Sequence, residues 1–88
     1  MSDAVKRFSK LMEKSNKLFK KHSPAQNSSD LEKYVEATQY AIEASKISGL
    51  PSDLVAMGKE YANNCREITT SAAEKLRLEH VIKQLEGD

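Results

Sequence analysis

Apolar residues in the first quarter of the chain recur at helical spacing. Ala4, Val5, Phe8, Leu11, Met12, Leu18 and Phe19 share one stripe, with Ser15 inside it. At 100° per residue that stripe covers about 140° of a helix, the width of one buried face. A helix is predicted over about residues 3–21. The polar stretch 22–29 holds Pro24 and reads as a loop. Ser29-Asp30-Leu31-Glu32 then fits the reciprocal capping pattern, which predicts a helix over about 30–48. Gly49 suits a left-handed cap, and Pro51 bars continuation. A third helix is predicted over about 52–86, with Leu54, Met57, Tyr61, Cys65, Ile68 and Ala72 as its core stripe. No alternating pattern bounded by turns suggests a strand.

The end of the third segment changes character. Leu78, Val81, Ile82 and Leu85 form a stripe centred well over a quarter turn from the first one. A straight helix cannot press both stripes on one neighbour. Either the helix breaks near residue 70 and a short fourth helix folds back, or it runs on and offers the second stripe to another chain. The expected fold is therefore all-α, a single domain over residues 1–88. It is an antiparallel three-helix bundle with a long third helix or a short fourth C-terminal helix.

The second helix carries the widest apolar arc. Leu31, Tyr34, Val35, Ala37, Tyr40, Ala41, Ile42, Ala44 and Ile47 cover roughly 240°, more than one neighbour can hide. It must lie between two helices or leave part of its arc open. On the open reading, Tyr40 and Ile47 edge a groove. On the third helix, Val55, Ala62, Thr69 and Ala73 form a shallow row beside the core stripe. The candidate groove residues are Tyr40, Ile47, Val55, Ala62, Asn63, Arg66 and Thr69. Such a groove can receive an amphipathic helix. A bulky residue at Ala62 is expected to block it and spare the fold.

Composition narrows the alternatives. The formal net charge is +1, so no global field points to nucleic acid. The first helix nonetheless carries Lys6, Lys10, Lys14, Lys17 and Lys21 opposite its apolar stripe, a candidate contact for an anionic surface. Nucleic acid is not expected, and any membrane contact is expected to be peripheral. No apolar run approaches the ~18–20 residues that span a bilayer. Cys65, His22 and His80 lie far apart in sequence and form no metal motif, and no Gly-rich phosphate loop exists. Cys65 lies on the predicted core stripe, as a buried small hydrophobe would. Neither catalysis, a cofactor nor a small-molecule substrate is expected. Self-association through Leu78, Val81, Ile82 and Leu85 is the alternative to partner binding.

The stretch Tyr34-Val35-Glu36-Ala37-Thr38-Gln39-Tyr40-Ala41-Ile42-Glu43-Ala44-Ser45-Lys46 resembles the second helix of microtubule-interacting and trafficking (MIT) domains. Ser52-Asp53-Leu54, Glu60-Tyr61, Cys65 and Ile68 continue the likeness into the third helix, as does the short second loop. Tetratricopeptide-like hairpins share part of this pattern. The family usually has a large aliphatic residue where Ala62 stands and often an acid where Asn63 stands. Its Gly-containing first bend is replaced here by a longer Ser/Pro/Asn loop. The resemblance implies a cytoplasmic peptide-binding module, recruited to endosomal or autophagic membranes. Its implied partners are short motifs of membrane-remodelling filament subunits.

Overall fold

The computed structural model describes residues 2–87. They form three helices, α1 (Asp3–His22), α2 (Ser28–Ser45) and α3 (Ser52–Gly87), and no strands. The all-α three-helix bundle is as the sequence predicts.

Local chemistry sets the helix ends. The Ser2 hydroxyl accepts from the Val5 N–H at 3.3 Å. Asp3 in the first turn of α1, and Lys20, Lys21 and His22 in the last, complement the helix dipole. α2 begins earlier than expected because Asn27, not Ser29, is its cap. The Asn27 side chain accepts from the Asp30 N–H at 2.9 Å. Asp30 reaches back to accept from the Gln26 N–H and from His22 Nδ1, both at 3.0 Å. The reciprocal logic of a capping box survives, shifted two residues upstream. α2 also stops at Ser45 rather than 48: the Lys46 N–H bonds the Glu43 carbonyl at 3.1 Å, tightening the last turn. Gly49, at φ +85°, then turns the chain. The Pro51 carbonyl accepts from Leu54 and Val55, both at 3.1 Å, and opens α3.

The wide apolar arc of α2 makes it the middle helix. α1 and α3 each pack along it and touch one another only weakly. Tyr34, Ala37, Ala41 and Ala44 are buried, the three alanines completely. These small side chains let both neighbours come close. Gly58 of α3 sits where all three helices meet, a Cβ at that point lying 3.1 Å from Phe8 Cε2 and 3.2 Å from Ser45 Cα. Toward the other end, the Phe19 and Tyr34 rings lie 4.7 Å apart. The wholly buried Ser15 hydroxyl donates to the Ala37 carbonyl at 2.7 Å, and among the described residues no buried side-chain N or O atom is left without a partner.

For α3, one of the two alternatives holds and the packing stripe is corrected. The helix does not break near residue 70: one helix of 36 residues runs from Ser52 to Gly87, and the molecule is 60 Å long by 19 by 14 Å. Nor does it pack mainly through the expected stripe, of which only Cys65 is buried. Met57 and Ile68 are 55% and 49% exposed, and Leu54, Tyr61 and Ala72 are half-buried. The face against α2 is built from Gly58, Ala62 and Cys65, flanked by half-buried Val55, Thr69, Ala73 and Leu76. Apart from Cys65, that face is the shallow row with Gly58 and Leu76 beside it, roughly a quarter turn from the expected stripe. Beyond Leu76 every described residue is exposed, including Leu78, Val81, Ile82 and, at 77%, Leu85. This second stripe lies on the side of α3 opposite the one that meets α2.

Candidate functional site in the groove between α2 and α3

On the side of α2 away from α1, a long shallow groove separates α2 from α3. It consists of two adjoining hollows of about 380 and 260 Å³ that share Ile42 and Arg66. The α2 wall is Val35, Gln39, Ile42 and Lys46; the α3 wall is Lys59, Asn63, Arg66 and Thr70. Their spacings of three and four residues keep each set on one helical face. The floor is Thr38, Ala62 and Thr69. The two threonines give it a polar atom pair that is already satisfied. Thr38 Oγ1 donates to the Tyr34 carbonyl at 2.9 Å, Thr69 Oγ1 to the Cys65 carbonyl at 2.8 Å, and the hydroxyls lie 3.4 Å apart. With its hydroxyls so occupied, the floor presents mainly methyl groups, and Val35 is 47% exposed above it.

The expected groove residues divide. Asn63 and Arg66 stand exposed on its rim, and Thr69 and Ala62 lie in its floor. Ala62 is buried within the α2–α3 seam, so a large side chain there disrupts packing rather than merely blocking a surface. Tyr40 and Ile47 do not join this groove. They project on the α1 side of α2, Tyr40 beneath the Lys14 ammonium at 5.7 Å and Ile47 in a separate hollow with Arg7 and Leu11. Val55 is half-buried near the start of α3 and lines neither hollow of the groove. Val35, Gln39, Ile42, Lys46, Lys59 and Thr70 are additions that sequence reading missed. The four-three-four spacing of Lys59, Asn63, Arg66 and Thr70 was a visible signal for the α3 wall.

Other surfaces are less enclosed or more mixed. Between α1 and α3, Phe19, Tyr61 and Ile68 border a hollow whose base includes Cys65. Burial pushes the Tyr61 and Cys65 groups up from their ordinary pKa values, which keeps the thiol protonated. Lys6, Lys10, Lys14, Lys17 and Lys21 are all exposed on α1, and among the described residues only Lys17 of these is ion-paired, to Glu13 at 3.5 Å. Among the described residues, no group of three or more His, Cys, Asp or Glu is placed to hold a metal ion. No helix there is long and apolar enough to cross a membrane.

The chain matches no family model, no curated protein and no solved structure.

Proposed function

We propose that this chain is a non-catalytic docking module that receives a short amphipathic helix in the groove between α2 and α3. One observation carries the reading: an apolar floor, open to solvent along about three turns of two neighbouring helices, with no described segment of the chain laid over it. Such a groove has the form by which helix-in-groove modules recognise partners. The likeness to microtubule-interacting and trafficking domains supports the same reading and adds a context. In that context the module acts in the cytoplasm, and its partners are terminal motifs of membrane-remodelling subunits at endosomal or autophagic membranes. An NMR titration of the labelled chain with amphipathic helical peptides tests it. Shifts concentrated at Val35, Ile42, Arg66 and Thr69 are expected; unmoved resonances there across the peptide set would refute the reading.

A second reading has its own observation, the exposed Leu78, Val81, Ile82 and Leu85 stripe beyond the bundle. A second copy can cover it. The stripe spans only about two helical turns, ~10 Å, and stable interfaces bury about 1,200 Å² or more. Association is therefore expected to be weak and concentration-dependent. Sedimentation of the full chain, and of a chain ending at Leu76, distinguishes this reading: an unchanging monomer mass at high concentration refutes it.

A further inference from the structure

We infer that the occupant of the α2–α3 groove is an acidic amphipathic helix, a deepening that rests on the docking function proposed above. The charge of the lining is one-sided. Lys46, Lys59 and Arg66 stand around the groove, and among the described residues no Asp or Glu lines either hollow. All three cations are exposed, and none makes an ion pair among the described residues. The nearby acids lie outside both hollows. Glu36 is tied to Lys33 at 3.4 Å, Glu43 lines the separate hollow that Arg7 and Lys46 also border, and Glu60, Glu67 and Glu74 recur every seventh residue on the outer face of α3. A basic helix entering this groove would meet like charges and no acid in the lining.

The spacing defines the partner further. Val35 and Ile42 are seven residues apart, two helical turns, so the occupant needs apolar side chains repeating over the same ~10 Å. Lys46 and Lys59 share one hollow, with Arg66 at the junction of the two. The acidic residues of the partner accordingly cluster toward the end of the groove beside the C-terminus of α2. An apolar floor between helical walls suits a helix better than the flat surface of a membrane. The absence of aromatic side chains from the lining removes the stacking platform on which single-stranded nucleic acid relies.

The test compares two synthetic helices with the same leucine stripe, one flanked by glutamates and one by lysines, binding the full chain in a fluorescence-anisotropy titration. The glutamate helix is expected to bind at least about tenfold more tightly, with an advantage that shrinks as salt rises. Arg66→Glu and Lys59→Glu, exposed changes whose fold is checked by circular dichroism, are expected to remove or reverse the preference. Lys10→Glu and Lys17→Glu on α1 are expected to leave it unchanged. Equal or tighter binding of the lysine helix overturns the charge inference while leaving a peptide-binding groove intact. Binding of neither helix overturns the docking function itself. Binding of anionic vesicles or duplex DNA that matches the glutamate helix, and is lost in Arg66→Glu, overturns the proposal in favour of a general anion surface. A fall in sedimentation mass caused by Arg66→Glu identifies a second copy as the occupant and overturns it equally.

Discussion

Replacing Gly58 by alanine tests how closely α3 approaches its neighbours. In an open helix interior the change favours folding by about 1 kcal/mol, because glycine is the poorer helix former. Here the added methyl has no free space. It would lie 3.1 Å from Phe8 Cε2 and 3.2 Å from both Cα and Cβ of Ser45, against a carbon–carbon optimum of about 3.5–4.0 Å. The Phe8 ring edge can swing aside. Ser45 Cα is backbone, and moving it drags the last turn of α2, where Ala44 has no exposed surface to yield. Overpacking of this kind costs about 1–3 kcal/mol. The clash therefore outweighs the propensity gain, and a net loss of about 1 kcal/mol is expected. Urea unfolding followed by helical circular dichroism should show a lower midpoint with an unchanged slope, and heating should show a fall of about 4–8 °C. Gly87→Ala, with nothing within 4 Å of the new carbon, should show no loss. A Gly58→Ala chain stabilised by the full propensity increment would refute the close three-helix junction.

Other consequences follow from the same packing. Ala62→Trp is expected to abolish cooperative unfolding, because its indole would have to enter the α2–α3 seam where Ala62 is only 5% exposed; a normal urea transition in that variant contradicts the seam. Cys65, buried and with its thiol pKa raised by desolvation, should react with a thiol reagent at pH 8 far more slowly in native than in urea-unfolded chain; equal rates would place it at the surface. The Gln26 N–H and then the His22 ring hold the Asp30 carboxyl below its ordinary pKa. Its stabilising effect is complete above the unfolded carboxylate value, about 4, and is lost as pH falls through the lowered folded value. Asp30→Asn should thus flatten the acid limb of stability below about pH 4, and an acid limb as steep as that of the parent chain contradicts the cap.

The parts of this fold that are legible in the sequence are those where burial follows side-chain size. The α1 stripe is a single face of ordinary width, and Phe8 and Ser15 are indeed its buried points. The broad arc of α2 marks it as the central helix, because no single neighbour can cover so much. The packing face of α3 was misread for a physical reason. Hydrophobic patterning gives weight to Leu54, Met57 and Ile68, whereas the seam uses Gly58, Ala62 and Thr69, whose small volume permits the close approach. When backbone proximity replaces side-chain bulk, the largest residues end up outside. The α2 cap moved for a similar local reason: Asn27 and Ser29 are both good caps, and the Asp30 bonds to Gln26 and His22 favour Asn27. The α3 side of the groove was half legible, through Asn63 and Arg66 in the wall and Ala62 and Thr69 in the floor. The α2 wall was not, because which edge of a wide apolar arc stays open depends on where α1 docks. Tyr40 and Ile47 fell on the edge that α1 took.

The most direct measurement is a set of intermolecular NMR contacts between a bound glutamate-flanked helix and the labelled chain. The account predicts contacts from the leucines of that helix to the methyl groups of Val35, Ile42 and Thr69. Contacts instead to Phe19, Tyr61 and Ile68, on the α1–α3 side of the bundle, would contradict it.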